Sequence, residues 1–164
     1  MQLTPDRPAA FNAKSMRAQR ERAGLTLWEL RDLTGIPRAE LQAYESGIRP
    51  PRPPRLAVLA RALGVQPLAF MNRDVIGYGL ASLRVTAGLC TQDLVIKADI
   101  SLVLLRSLEN GTIRRLDWAI AKRLASALKT TPEAVRRAHD WDVTRHFPLP
   151  HPQEGPGNDL PGNS

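Results

Sequence analysis

The 164-residue chain carries a formal charge of +7, spread as +5 over residues 1–74, +5 over residues 75–138 and −3 over residues 139–164. Two basic stretches ahead of an acidic end suit a polyanionic partner, most readily nucleic acid, the alternative being a solvated basic surface with no ligand. The single cysteine, Cys90, excludes an intramolecular disulfide and a multi-cysteine zinc site; no apolar run nears the ~18 residues that span a bilayer, and the polar, proline-containing start is unlike a signal peptide, so a cytoplasmic protein without membrane contact is expected.

Helical periodicity runs from about Phe11 to Ala138, and no stretch alternates in the manner of a half-buried strand, which predicts an all-α chain. A first helix is expected from about Asn12 to Ala23, stopped at Gly24. Thr26 then caps a second helix, with Glu29 placed to complete a capping box, and Gly35 ends it. A short turn through Pro37 leads to a third helix from about Arg38 to Glu45, closed by Gly47. Residues Ile48 to Pro54, with four prolines and two arginines, read as a loop; a fourth helix from about Arg55 to Leu63 and a short fifth from Pro67 to Met71 follow.

The same plan then recurs. Ala23-Gly24-Leu25-Thr26-Leu27-Trp28-Glu29-Leu30 is echoed by Ala87-Gly88-Leu89-Cys90-Thr91-Gln92-Asp93-Leu94, and Tyr44-Glu45-Ser46-Gly47 by Leu108-Glu109-Asn110-Gly111, both at an offset of 64. Past the glycines the offset becomes 65, aligning Leu59-Ala60-Arg61-Ala62-Leu63 with Leu124-Ala125-Ser126-Ala127-Leu128. This predicts two copies of one small module, with helices at about Gly79 to Ala87, Thr91 to Ala98, Ser101 to Glu109, Asp117 to Leu128 and Pro132 to Ala138, and Thr91, Ser101 and Thr131 as caps. The expected organisation is a flexible terminus over residues 1–11, domains at 12–73 and 78–138 packed in a fixed relation, and a disordered Pro/Gly-rich acidic tail over residues 139–164.

Two short helices joined by a tight turn, with a third following and a closing glycine, make a helix-turn-helix. The Gly-Leu-Thr, the glycine before the turn, Tyr44-Glu45-Ser46-Gly47 and the closing Leu-Ala-Arg-Ala-Leu-Gly-Val resemble the Cro and phage-repressor-like, or XRE-type, DNA-binding family over about Lys14 to Met71 and again about Gly79 to Arg137. The resemblance implies two tandem five-helix, lambda-repressor-like domains binding double-stranded DNA, and a transcriptional regulator of bacterial or phage type, usually a repressor. It also implies structural ion pairs between the first and third helices, Arg20 with Glu45 and Arg84 with Glu109. Leu27 departs from the family, standing where many members carry a glutamine that touches the DNA backbone.

In the first copy the third helix should present Arg38, Ala39, Gln42 and Ala43 to base edges, with Leu41 and Tyr44 inward. Arg38 has the donors for guanine, Gln42 suits adenine or a phosphate, and the alanines allow close approach to a thymine methyl. Ser46, Arg49, Arg52 and Arg55 are candidate phosphate contacts, the arginines being alternatively the solvated side of a proline-rich loop. The second copy shows Leu102, Val103, Arg106 and Ser107 instead, so Leu102 and Val103 point to packing against the first module or another copy, the alternative being contact with thymine methyls, while Gln92, Asn110, Arg114 and Arg115 can hold backbone phosphates. Arranged about a pseudo-two-fold, the copies can cover adjacent half-sites roughly 34 Å apart. The competing function is a protein-interaction module of the same fold, antitoxin-like or a co-regulator, using the apolar third helix of the second copy.

No enzyme signature is present, and no cofactor is implied: the chain has no glycine-rich phosphate loop after a strand, no metal-spaced histidine pair and no nucleophile with a base. His139, Asp140, Asp142, His146 and His151 cluster in a segment expected to have nothing to orient them, so no metal site is assigned. Cys90 reads as a partly buried small residue, and Trp28, Trp118 and Trp141 as core or interface residues.

Overall fold

Helix starts follow side chains that satisfy the otherwise unpaired amides of a first turn. In the computed structural model, which describes residues 10–148, Asn12 Oδ1 accepts the Ser15 amide at 3.0 Å and opens α1 (Ala13–Arg22). Thr26 and Glu29 form the reciprocal box, at 3.2 Å and 2.7 Å, that opens α2 (Leu27–Thr34), and Gly35 closes it in the left-handed region at φ 69°. The tight turn through Pro37 gives α3 (Arg38–Glu45). α4 (Pro53–Leu63) begins two residues earlier than its expected start at Arg55: Pro53 and Pro54 occupy its first turn, where a missing N–H costs nothing. A 3₁₀ turn (Pro67–Phe70) completes the first half.

A short α5 (Arg73–Ile76), capped by Asn72, joins the halves. The second half contains α6 (Leu80–Thr86), α7 (Thr91–Ala98), α8 (Leu102–Glu109), α9 (Trp118–Leu128) and α10 (Pro132–His146). Ser101 caps α8, Asp117 caps α9 and Thr131 caps α10 through their side chains. Thr91 is not a cap: it lies inside α7 and is buried, while Cys90 takes the cap position and its amide donates to Asp93 at 2.9 Å. Among the described residues there is no strand, only a single antiparallel bridge between Phe11 and Met71, so the chain is all-α.

Part of each segment expected as a tail is folded. Residues 1–9 and 149–164 lie outside the described residues. Ala10, by contrast, is buried, its carbonyl accepting the Asn72 amide at 2.6 Å, and the Asn12 amide donates to Phe70 at 2.8 Å. At the other end, residues 139–146 continue α10 for two further turns and are part of the packing.

Buried side chains fall into two clusters. Met16, Leu30, Ile36, Leu41, Tyr44, Leu56, Leu59 and Phe70 fill the first; Leu80, Leu94, Leu105, Leu108, Leu124 and Val135 fill the second. The seam between them is close: Val85 of α6 is buried in the first cluster, and a Cβ at Gly88 would come within 2.7 Å of the Ala57 methyl.

α10 is locked by polar contacts inside apolar packing. His139 Nε2 lies 2.7 Å from the Ile113 carbonyl, and Asp142 Oδ2 accepts the Leu80 amide at 2.8 Å, meeting the start of α6. Asp142 fills the space a side chain would need at Gly79, and its backbone does the same at Gly111, which sits at φ 71°. Trp141 packs edge-on against Tyr78, with ring centroids 6.3 Å apart, and against Gly77.

Burial pushes the Asp142 carboxyl from 3.8 up to about 7; the nearby Glu109 adds to the rise, against the Leu80 amide and Arg145, which favour the charged form. The folded state thus binds this proton more tightly than the unfolded chain does. That contribution is complete below the unfolded value and is lost as pH rises through about 7. Thermal melts should therefore give a Tm at least ~5 °C higher at about pH 5 than at about pH 8, and Asp142→Asn should remove most of that difference. Equal pH dependence in both proteins would show that Asp142 is not the group responsible.

Candidate nucleic-acid interface

The site is set up by a clamp between α1 and the end of α3. Arg20 Nε and Nη2 donate to the two carboxylate oxygens of Glu45 at 2.6 and 2.9 Å, and Nη1 donates to the Leu25 carbonyl at 2.7 Å. With 12% and 8% of the two side chains exposed, this is a largely desolvated two-pronged pair, and the bond to Glu45 holds the Arg20 guanidinium above its ordinary range. One arginine thereby ties together α1, the α1–α2 turn and α3.

α3 turns Leu41 and Tyr44 into the core and leaves Arg38, Ala39 and Gln42 exposed, with Ala43 half-buried. Arg38, Gln42 and Ser46 follow one another at helical spacing and, with Arg17, Arg20, Leu27 and Glu45, line a shallow cleft of about 280 Å³. Arg17 is engaged by Glu21 at 2.8 Å and Arg20 by Glu45. Among the described residues no carboxylate pairs with Arg38, which brings five N–H donors to the lining of the cleft.

Trp28 is the neighbour of Arg38. Its ring is 55% exposed at the start of α2, with the Arg38 guanidinium 5.3 Å and that of Arg31 5.0 Å from the ring centroid. Trp118, 43% exposed, is likewise approached by Arg136 at 5.8 Å. Trp28 and Trp118 thus lie outside the core, each with an arginine over its ring, and Trp141 is half-buried against Tyr78.

The arginine-rich loop is organised by a residue that helical pattern alone leaves unremarked. Glu40 accepts the Tyr44 hydroxyl and lies 3.4 Å from Arg49 and 4.0 Å from Arg55. Burial, with the Glu40 bond second, pushes the Tyr44 phenol up to about 12. Arg49 and Arg55 keep nearly half of their side chains exposed, so this acid gathers them at one end of α3 without hiding them. Arg52 holds the cap position of α4 and is exposed. The i, i+4 spacing of Glu40 and Tyr44 was the available signal.

The second half repeats the clamp. Arg84 Nε and Nη2 donate to Glu109 at 2.7 and 3.2 Å, and Nη1 to the Leu89 carbonyl at 3.3 Å. On α8, Val103 is 76% exposed beside exposed Arg106, while Leu102 and Ser107 are half-buried. Gln92, Asn110, Arg114 and Arg115 are exposed, and Arg114 stacks 4.2 Å from the Phe147 ring centroid. Of the histidines and acids at 139–146, His139 and Asp142 are buried against backbone partners while Asp140 and His146 are exposed, and His151 lies outside the described residues. Among the described residues no group of three or more metal-ligating side chains converges, and no helix is long and apolar enough to cross a membrane.

The span from α1 to the 3₁₀ turn, with its clamped third helix, is the unit that comparison with known families recognises. Residues 14–69 match the family model of a helix-turn-helix domain. The match covers the helices carrying Arg20, Arg38, Gln42 and Glu45 and supports a DNA-binding role for this helix-turn-helix domain. No curated protein and no solved structure matches the chain.

Since the Arg20–Glu45 pair is largely buried, removing one partner strands the other. Arg20→Ala should cost the helix-turn-helix domain about 3–5 kcal/mol, whereas the paired apolar replacement Arg20→Met with Glu45→Leu should cost much less. Denaturant melts of the full chain check this; a single variant as stable as wild type would show the clamp to be dispensable.

Proposed function

We propose that the chain is a non-catalytic, sequence-specific regulator of transcription acting on double-stranded DNA, with the first half reading bases and the second adding backbone contact or self-association. The observation that carries the proposal is the exposed face of α3 in a helix-turn-helix domain: Arg38, Ala39 and Gln42 stand free of the core on a helix fixed by the Arg20–Glu45 clamp, with Ala43 beside them. In this reading α3 enters the major groove, Arg38 donates to guanine, Gln42 reads adenine, and Ala39 and Ala43 meet thymine methyls. Ser46, Arg49, Arg52 and Arg55 hold phosphates next to that helix. The XRE-type resemblance favours repression, by occupying a site that another protein must reach.

The second half is read as a tandem copy with a different surface. The repeated Arg84–Glu109 clamp supports a common plan, while Val103 and Leu102 cannot hydrogen-bond to base edges. Gln92, Asn110, Arg114 and Arg115 then provide sequence-independent grip, and the α8 face provides a contact between copies of the chain.

Selection of the purified protein against a random duplex pool, at physiological salt with competitor DNA, should enrich one motif. Arg38→Ala should relax one position of it at a cost of roughly 1–3 kcal/mol, whereas Arg49→Ala should weaken all sequences alike. An unenriched pool with folded protein would move the assignment to a protein-interaction module. Light scattering tests the second half: Val103→Glu, at a position already exposed, should convert dimers into monomers that bind the motif more weakly. A monomeric wild type would exclude self-association.

A further inference from the structure

Trp28 belongs to neither hydrophobic core, yet it is a large apolar side chain left exposed beside the cleft that α3 lines. Two guanidinium groups are drawn to its ring, and they differ in origin. Arg31 lies three residues along the same helix, where contact follows from helical spacing alone, and it is also tied to Asp32 at 2.7 Å. Arg38 comes from the first position of α3, across the Gly35–Pro37 turn, and this stack is its one specific contact among the described residues.

We infer that Trp28 is the positioning residue for Arg38, holding its guanidinium ready for a guanine edge; the inference rests on the DNA-reading assignment of α3. An unrestrained arginine at a helix start must give up its rotamer freedom on binding, and the indole face removes part of that freedom beforehand without competing for the N–H donors, which point outward in the ring plane of the guanidinium. A carboxylate partner would hold Arg38 as well, but would occupy the donors that a base needs. Trp28 thus does for Arg38 what Glu45 does for Arg20, while keeping the charge available. The ring also connects α2 to α3 at the outer end of the turn, opposite the buried Ile36 that connects them inside.

The test uses the full chain with Trp28→Ala, Trp28→Phe, Arg38→Ala and the Trp28→Ala/Arg38→Ala double variant, and the DNA motif enriched by selection. In the free protein, NMR should show the Arg38 side-chain protons shifted upfield by the indole ring current, and this shift should vanish in Trp28→Ala. Trp28→Ala should weaken binding to the motif roughly fivefold, with Trp28→Phe in between, leave scrambled duplex binding unchanged, and have no further effect once Arg38 is already alanine. An equal loss with and without Arg38, or unaltered Arg38 resonances, would overturn the inference. If the resonances shift as expected but Arg38→Ala keeps full base preference, the stack stands while the reading of α3 falls, and with it the positioning role. The half-exposed location of Trp28 keeps these variants folded, which thermal melts verify.

Discussion

The orientation of the third helix in each half depends on one kind of contact, an arginine on the first helix that grips a glutamate at the end of the third and a backbone carbonyl in the turn between the first and second helices. Helices of eight residues have little independent stability, so fixing the direction of one needs an external reference. The guanidinium supplies that reference because its donors are planar and fixed, matching two carboxylate oxygens at once. Taking both charges largely out of water makes the pair costly to half-break and geometrically selective.

Around this fixed frame, charge is arranged so that cations are held without being neutralised face-on. Glu40 faces the arginine loop and collects Arg49, Arg55 and the Tyr44 hydroxyl. Trp28 holds Arg38 through a π face. An acid and an indole thus organise three exposed arginines of the first half, and the acid's charge is answered locally.

Local chemistry made much of this readable in the residues alone. The Thr26–Glu29 box, the Gly35 stop and the Ser101 and Thr131 caps are all decided within one turn of chain, so their spacing suffices. The repeated arginine and glutamate were visible as a family pattern, although their contact spans 25 residues. What escaped was set by distant partners. Nothing around Asp142 announces that its oxygen will meet the Leu80 amide 62 residues away, or that Gly79 and Gly111 leave the space for it, and a run of His, Asp and Arg looks solvated when its neighbours are unknown. Trp28 misled for the same reason: periodicity marks a tryptophan as apolar, but only the fold brings Arg38 onto its ring. Pro53 and Pro54 were assigned to a loop because proline breaks helix interiors, whereas a first turn accepts both.

The seam between the halves constrains any ligand that reaches across both. Val85 completes the core of the first half from a helix of the second, and Gly88 abuts Ala57 so closely that no methyl group fits between them. There is no slack here for a hinge, since rotating α6 away would open a cavity in one core and pull at the anchor of the other. On the proposed reading, a duplex gripped by both halves would have to supply the adjustment itself. Its flexible pyrimidine–purine steps would yield at little cost and its stiff tracts would resist, so base pairs that the protein never touches would still enter the choice of site through their elasticity.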